Sequence, residues 1–336
     1  MSTFYHHQLN SPVSADQAGA VVAIGNFDGV HMGHQVVLDR ARSLAAKNRT
    51  KCFALSFEPH PRTLFKPDSP VFRLTDEAMK ARVLEAFGLD GMLVLEFTKE
   101  LAATSAEGFV DEFLLARAKA SHVVSGFNFH FGKKRTGSPE YLRQRGAESG
   151  FGVEIVEPVT DLSAESGELV SSSRVRRLLG SGDVAAAAKL LGYHWLVSGK
   201  VIKGAQLGRT LEFPTANIEL PANCHLAHGI YTVRLRTADG EIHDGVASYG
   251  RRPTFDNGRA SLETFIFDFN ADIYGQNISV SLIEYIRGEE KFDTVEALVA
   301  QMHRDTSVAR ATLDKFKPFS LLDSTLTGNG SFKGDG

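Results

Sequence analysis

The chain has 336 residues, which is long for one typical core and suits two domains. Its 37 basic and 40 acidic residues leave a net charge of −3, which excludes a chain-wide electrostatic grip on nucleic acid, so any phosphate binding must be local. No apolar run is long enough to span a membrane, the opening MSTFYHHQLN lacks the pattern of a secretory signal, and Cys52 and Cys224 show no metal-ligand spacing, so a cytoplasmic enzyme is the expectation.

The polar residues 1–19 lead into Val21-Val22-Ala23-Ile24, a short β-favouring run that fits a strand buried on both faces of a parallel sheet. Gly25-Asn26-Phe27-Asp28-Gly29 then turns the chain, and a helix is predicted over about 33–47 from the stripe Val36, Val37, Arg40 and Leu44. This junction joins the carboxyl end of a strand to a helix N-terminus, where open α/β sheets bind ligands and backbone N–H groups favour phosphate. His31 and His34 are three apart at the helix start and share a face. As residue types alone they fit a phosphate site, a metal pair or surface histidines. Without cysteine or a carboxylate at ligand spacing they make a poor zinc site.

Lys51–Phe57 is a second strand, stopped by Glu58-Pro59-His60-Pro61. Thr75 is expected to cap a helix running from Ala78 to Phe87, with Gly88 as its stop. Met92–Leu95 is a third strand, Ser105–Ala118 a helix, and His122–Ser125 a fourth strand. The next stretch, Gly126-Phe127-Asn128-Phe129-His130-Phe131-Gly132, alternates aromatic residues ahead of a basic run, which fits either a strand edge or the wall of a planar ligand. A helix over 140–148 and a strand over 153–156 complete the alternation of a doubly wound parallel sheet. Ser171-Ser172-Ser173-Arg174-Val175-Arg176 begins another helix and offers hydroxyls and guanidinium forks to phosphate. Gly180–Asp183 breaks that helix, and the alanine-rich 184–191 is expected to connect the two domains.

After Tyr193 the pattern changes to short β-runs at 195–201, 229–236, 242–248, 262–269 and 278–287, with Ala238-Asp239-Gly240 as a hairpin cue, which suits a closed antiparallel barrel. A long amphipathic helix is predicted over 294–313, and the tail from 321 is expected to be disordered. The stretch 204–217, with Gly204, Gly208, Arg209 and a Pro-Thr-Ala-Asn turn, is not a P-loop, and by residue type alone reads as a hairpin loop.

GNFDGVHMGH (25–34) resembles the HxGH motif of the nucleotidyltransferase superfamily, in the form carried by bacterial bifunctional riboflavin kinase/FMN adenylyltransferases, also called FAD synthetases. SFEPHP (56–61), GFNFHFGKKRTG (126–137) and VSSSRVR (170–176) resemble further segments of the same half. In the second half, GAQLGRTLEFPTAN (204–217), YGRRPTF (249–255), LETFIFDF (262–269) and IRGEEKF (286–292) resemble the kinase motifs in their expected order, and Asp305 and Arg310 match the last helix. The resemblance spans roughly residues 20–315.

It implies an α/β doubly wound nucleotidyltransferase domain over 1–185 and a β-barrel riboflavin kinase domain with a C-terminal helix over 186–320. The implied reactions are phosphorylation of riboflavin by ATP to FMN, then adenylylation of FMN by ATP to FAD and pyrophosphate. Riboflavin, FMN and ATP are the implied partners, with Mg²⁺ as metal and neither nucleic acid nor membrane. Oligomeric state is left open. In the first half the resemblance assigns catalysis to His31, His34 and Arg176, of which Arg176 is preferred to Arg174 as the phosphate ligand. It gives ATP binding to Gly25, Asn26, Phe27, Asp28, Gly33, Ser172 and Arg174, and flavin binding to Phe57, His60 and Asn128. In the second half it makes Glu263 the catalytic base and Thr215 and Asn217 the Mg²⁺ ligands. Gly204, Gly208, Arg209, Thr215 and Asn217 bind ATP there, and Arg252, Arg287 and Phe292 bind flavin. Glu212, Ser248 and Phe265 depart from the family pattern, which motivates an alternative: an adenylyltransferase with an inactive kinase barrel. A flavin-binding regulator without turnover is the other rival, and an intact Glu263 argues against it.

Overall fold

Val21–Ile24, with all four side chains buried, forms the central strand of a parallel sheet in the computed structural model, which describes residues 3–160, 167–203, 213–251 and 260–328. The strands are β1 (Tyr5–Gln8), β2 (Val21–Ile24), β3 (Cys52–Glu58), β4 (Gly91–Glu96), β5 (His122–Gly126) and β6 (Gly152–Val156). Their order is β1-β4-β3-β2-β5-β6, and every pairing is parallel. The chain winds outward from β2 to β3 and β4, then returns to pair β5 on the other side of β2. The carboxyl ends of β2 and β5 therefore flank the topological switch point. β1 lies within the segment expected only to lead into the sheet; its alternating exposure suits an edge strand, and four polar-rich residues give little periodic signal.

Other departures are local. The expected Thr75 cap is replaced by Asp76, whose Oδ1 accepts the Met79 N–H at 2.7 Å and starts the helix Glu77–Ala86. The expected helix from Ser105 to Ala118 is a short α-turn, Ala106–Gly108, running into the π-helical Phe109–Arg117, which closes with an N–H bond from Ala118 to the Phe113 carbonyl at 2.9 Å. Cys52 is a core residue, and burial pushes its thiol up to about 12.

Packing divides the chain between Ser171 and Ser172, so the helices Ser172–Gly180 and Val184–Leu191 belong to the second unit. That unit is built on β7 (Leu196–Lys200), β8 (Thr215–Glu219), β9 (Gly229–Arg236), β10 (Ile242–Arg251), β11 (Ala260–Ile266) and β12 (Asn277–Arg287). The order is β7-β12-β9-β10-β11-β8, all antiparallel, and a bridge between Ile202 and Asn217 links the two ends of the order into a nearly closed barrel. β8 covers the expected Pro-Thr-Ala-Asn turn, which is thus a strand from Thr215 onward.

One face of each strand fills the barrel. Leu235 pairs with Val280, Val233 with Leu282, Tyr231 with Ala247, Tyr249 with Leu262 and Leu262 with Ile218, and all are buried. The helix Val295–Leu313 covers part of the outer face, packing Ala309 and Leu313 on Val246, Phe267 and Ile283. The expected disordered tail begins instead with a helix, Leu321–Thr327, because Leu322 and Leu326 find apolar cover and Asp323 a buried partner in His194.

Candidate functional sites

In the first unit the turn after β2 carries unusual backbone. Phe27 has φ 47°, Gly29 79° and Val30 39°. Glycine tolerates this region, whereas a β-branched valine there is strained. The strain is held by partners on all sides: Gly29 donates its N–H to Thr75 Oγ1 at 3.1 Å, Gln35 Nε2 donates to the Val30 carbonyl at 2.8 Å, and Phe27 and Val30 are fully buried. Asp28, expected as an ATP contact, is buried; its Oδ1 accepts the N–H groups of Leu74 and Thr75 at 2.9 and 3.1 Å. It clamps the 73–75 segment to the turn.

The turn delivers His31 to the N-cap of the helix Met32–Asn48, where its Nδ1 accepts the His34 N–H at 3.3 Å. In a neutral imidazole that leaves the proton on Nε2, which makes this atom a donor. The His31 and His34 rings stack, with centroids 3.7 Å apart and planes 17° apart, and Phe27 meets His34 edge-on at 5.4 Å. His34 Nδ1 is buried with no hydrogen-bond partner. Burial, then the neighbouring His31, then the Lys80 ammonium hold the His34 imidazole well below the usual histidine range. A side chain at Gly33 would come within 3.2 Å of the His31 ring and 3.4 Å of the Val170 carbonyl, so the space beside the pair depends on glycine. Stacked imidazoles, an orphan ring nitrogen and the first N–H groups of a 17-residue helix form a constellation suited to a polyphosphate.

The neighbouring strand ends supply the surround. Asn128 follows β5 and is exposed next to the switch point. Phe57, expected against a flavin ring, is buried, with Phe97, Phe109 and Phe129 around it at centroid distances of 6.0–6.5 Å. Those rings come from the segments after β4 and β5 and from the π-helical stretch, so the cluster is built between elements. His60 is half-buried and caps the short helix Pro61–Phe65, its Nδ1 accepting the Arg62 N–H at 3.2 Å. Two roles escaped the sequence reading: Ser56 Oγ donates to the Asn26 carbonyl at 3.1 Å, and Arg73 pairs with Glu58. Ser172, Arg174 and Arg176 lie in the first two turns of Ser172–Gly180, within the second unit, with both guanidinium-bearing residues half-buried.

On the barrel, one row of register organises the second candidate site. Glu263 on β11 is the direct cross-strand partner of Asn217 on β8 and of Ser248 on β10. Directly opposed residues share a face. Leu262 and Thr264, on either side of Glu263, are fully buried, so the Glu263 row lies on the outer face. Ser261 Oγ approaches Glu263 Oε1 at 3.4 Å. Asn217 Nδ2 donates to the Thr215 carbonyl at 3.1 Å and lies 3.4 Å from the Thr215 hydroxyl oxygen, which leaves Oδ1 on the opposite side of the amide as an acceptor. Phe265 pairs with Thr215 in the ladder and packs on Phe213 at 4.8 Å. Among the described residues no three of His, Cys, Asp and Glu gather as a metal site.

Arg287, at the end of β12, forks onto Asp305 of the covering helix, Nε to Oδ1 at 2.9 Å and Nη2 to Oδ2 at 2.7 Å. It also donates to the Gly288 carbonyl and lies 5.9 Å from the centre of the half-buried Phe292 ring. Its principal partner is thus a carboxylate of the fold. Gly204, Gly208, Arg209, Glu212 and Arg252 lie outside the described residues.

Comparison with known proteins matches the FAD synthetase family over residues 13–174 and the riboflavin kinase family over residues 191–313. The chain is 36% identical to the bifunctional riboflavin kinase/FMN adenylyltransferase of Listeria monocytogenes, across 94% of this chain and 100% of that protein. It is 36% identical to the Escherichia coli protein of the same name, across 90% and 96%. A crystal structure from Streptococcus pneumoniae, described as a macrolide-efflux protein, has 31% identity and a TM-score of 0.79 over 90% of this chain and 97% of its own. Among the described residues, no helix here is long and apolar enough to cross a membrane. With similarity of this extent running through both units, the chain belongs to the bifunctional riboflavin kinase/FMN adenylyltransferase family.

Proposed function

We propose that this chain makes FAD from riboflavin in two steps, each in its own unit. The barrel transfers the γ-phosphoryl group of ATP to the primary hydroxyl of riboflavin, giving FMN and ADP. The α/β unit then joins an FMN phosphate oxygen to the α-phosphorus of ATP, and pyrophosphate leaves. The observation that carries the reading is the register of Glu263 with Asn217, which puts a carboxylate on the same face as two neutral oxygen donors, as phosphoryl transfer to an alcohol requires.

In the barrel, Glu263 takes the proton of the attacking hydroxyl. Thr215 and Asn217 would hold Mg²⁺: two side-chain oxygens suit a hard cation that keeps water and phosphate as its remaining ligands. Bound there, the ion neutralises charge on the transferring phosphoryl group. Ser248 and Phe265, two of the three departures from the family pattern, sit in the same ladders as Glu263 and Thr215. In the α/β unit no protein nucleophile is needed. The His31 Nε2 proton, the His34 ring and the helix N–H groups stabilise charge on the pentacovalent phosphorus. Asn128, exposed just after β5, would contact the flavin.

The test is chromatography of products after the full chain is incubated with riboflavin, ATP and Mg²⁺. FMN followed by FAD is the expected result. FAD from added FMN, with none from riboflavin, would mean that the barrel does not turn over. No product from either flavin would leave flavin binding as the remaining activity.

A further inference from the structure

Lys80 is a buried ammonium that neither reaction above uses. It projects from the helix Glu77–Ala86 and is 2% exposed. Its Nζ donates to Ser56 Oγ and to Glu58 Oε1, both at 2.8 Å. Ser56 Oγ passes the link on to the Asn26 carbonyl at 3.1 Å, so the ammonium reaches the turn after β2 through two hydrogen bonds. Glu58 ends β3 and precedes Pro59 and His60, and it pairs with Arg73 as well. Arg73 in turn precedes Leu74 and Thr75, whose N–H groups are held by Asp28. Lys80 and Glu58 together thus tie three segments: Lys80 reaches the HxGH turn through Ser56, and Glu58 joins the end of β3 to Arg73 of the 73–75 strap.

The arrangement is not what packing alone would select. An unbranched apolar side chain would fill the same space without desolvating a charge. Burial lowers the ammonium's proton affinity, against the opposing pull of Glu58. Glu58 keeps Arg73 as a second partner, so the carboxylate does not require Lys80 for compensation. Besides its charge acting on His34, Lys80 fixes Ser56, and through it the Asn26 carbonyl, beside the stacked histidines.

We propose that Lys80 is a positioning residue of the adenylyl-transfer site, holding the Gly25–Asp28 turn through Ser56 and the Glu58–His60 loop through Glu58. The inference rests on the adenylyltransferase reading of that unit. A cation at this point sets the backbone from which His31 and His34 rise, so its loss is felt in the chemical step more than in ATP capture.

The experiment uses the full chain with Lys80→Met, Lys80→Arg and Ser56→Ala. FAD formation from FMN is followed at varied ATP, and FMN formation from riboflavin is measured on the same preparations. Lys80→Met is expected to lower kcat for FAD formation by about tenfold to a hundredfold, with a much smaller change in KM for ATP. Lys80→Arg is expected to recover a large part of that loss, Ser56→Ala to show an intermediate one, and FMN formation to stay unchanged in all three. Unchanged FAD kinetics in Lys80→Met would overturn the proposal. So would a loss that Lys80→Arg shares in full and that follows a lowered melting temperature, since that is a packing role alone. If Lys80→Met does not fold, Ser56→Ala decides, because it keeps the ammonium and its pair with Glu58 and removes the hydroxyl that joins Lys80 to the Asn26 carbonyl: a lowered kcat supports the proposal and an unchanged one overturns it. Absence of FAD formation in the unsubstituted chain would instead remove the functional reading itself.

Discussion

Glu263 and Asn217 face each other across the β8–β11 pair, and Ser248 completes their row on β10. The register binds them to one patch of the outer face. A slip of one residue would carry Glu263 into the interior, where Leu262 and Thr264 now lie, so the buried face of β11 fixes the geometry of the exposed one. The apolar core of the barrel and its chemistry are therefore set by the same alternation.

Glu263→Gln keeps the shape of the side chain and removes its ability to take a proton. It is expected to lower FMN formation by roughly a hundredfold to ten-thousandfold, the usual worth of a general base. FAD formation from supplied FMN should be unchanged, since His31 and His34 belong to the other compact unit. Measuring both rates on one preparation checks this, and an equal fall in both would sink the two-site account.

Asn217→Ala tests the metal assignment. The amide is held to the Thr215 carbonyl, so its loss removes a pre-oriented oxygen rather than a mobile one. The Mg²⁺ concentration that gives half-maximal FMN formation is expected to rise by roughly tenfold or more. Removing divalent cations with a chelator should abolish FMN formation in the unsubstituted chain. A half-saturation point that does not move in Asn217→Ala would take Asn217 out of the metal site.

The His31–His34 site was legible because its information is local: an apolar run, a glycine turn and a helix start occupy one short string. The details that depend on distant residues were not. Thr75 was the expected cap, but its hydroxyl accepts the Gly29 N–H from the turn, and Asp76 caps the helix in its place. Asp28 was placed at ATP by the motif, and its acceptance of backbone N–H groups brought in from 74 and 75 is a further role that the string does not show. Phe57 was placed at a flavin by the resemblance of SFEPHP to the family segment, and its packing among the rings of Phe97, Phe109 and Phe129 depends on distant residues that the string does not show. β8 was hidden by Pro214 just before it and by its polar Thr-Ala-Asn start; pairing with β11 makes Thr215–Glu219 a strand.

The depressed proton affinity of His34 has a sign that can be checked. Its folded-state value lies below the ordinary 6.5, so the unfolded chain takes up a proton first as pH falls. The native state thus gains stability from neutral His34 above 6.5, and this contribution is lost as pH drops from 6.5 towards the folded value. Calorimetry of the ligand-free chain should show the first unit melting at lower temperature as pH falls through that window. In His34→Gln this dependence should flatten. A parallel fall in both proteins would assign the acid sensitivity to other groups.

The C-terminal helix Leu321–Thr327 is expected to be part of the barrel's stability. Asp323 is fully buried and accepts from the His194 N–H at 2.9 Å and the Phe319 N–H at 3.2 Å, and its carboxylate lies 2.9 Å from His194 Nδ1. From β9, Arg234 and the buried Arg236 donate to carbonyls at the end of the same helix, those of Thr325, Leu326, Thr327 and Gly328. Asp323→Ala leaves two N–H groups and a ring nitrogen without their acceptor, an outcome worth roughly 1.5–3 kcal/mol for bonds to a charged group. Trp195, the sole tryptophan, is 1% exposed and follows His194 directly, so its fluorescence reports unfolding of this unit. Denaturant titration should show an earlier midpoint for Asp323→Ala, and an earlier one still for a chain ending at 320, which also loses the buried Leu322 and Leu326. FAD formation from FMN should persist in both, because its histidines lie in the other unit. An unchanged midpoint in the shortened chain would make the helix an appendage without a role in holding the barrel.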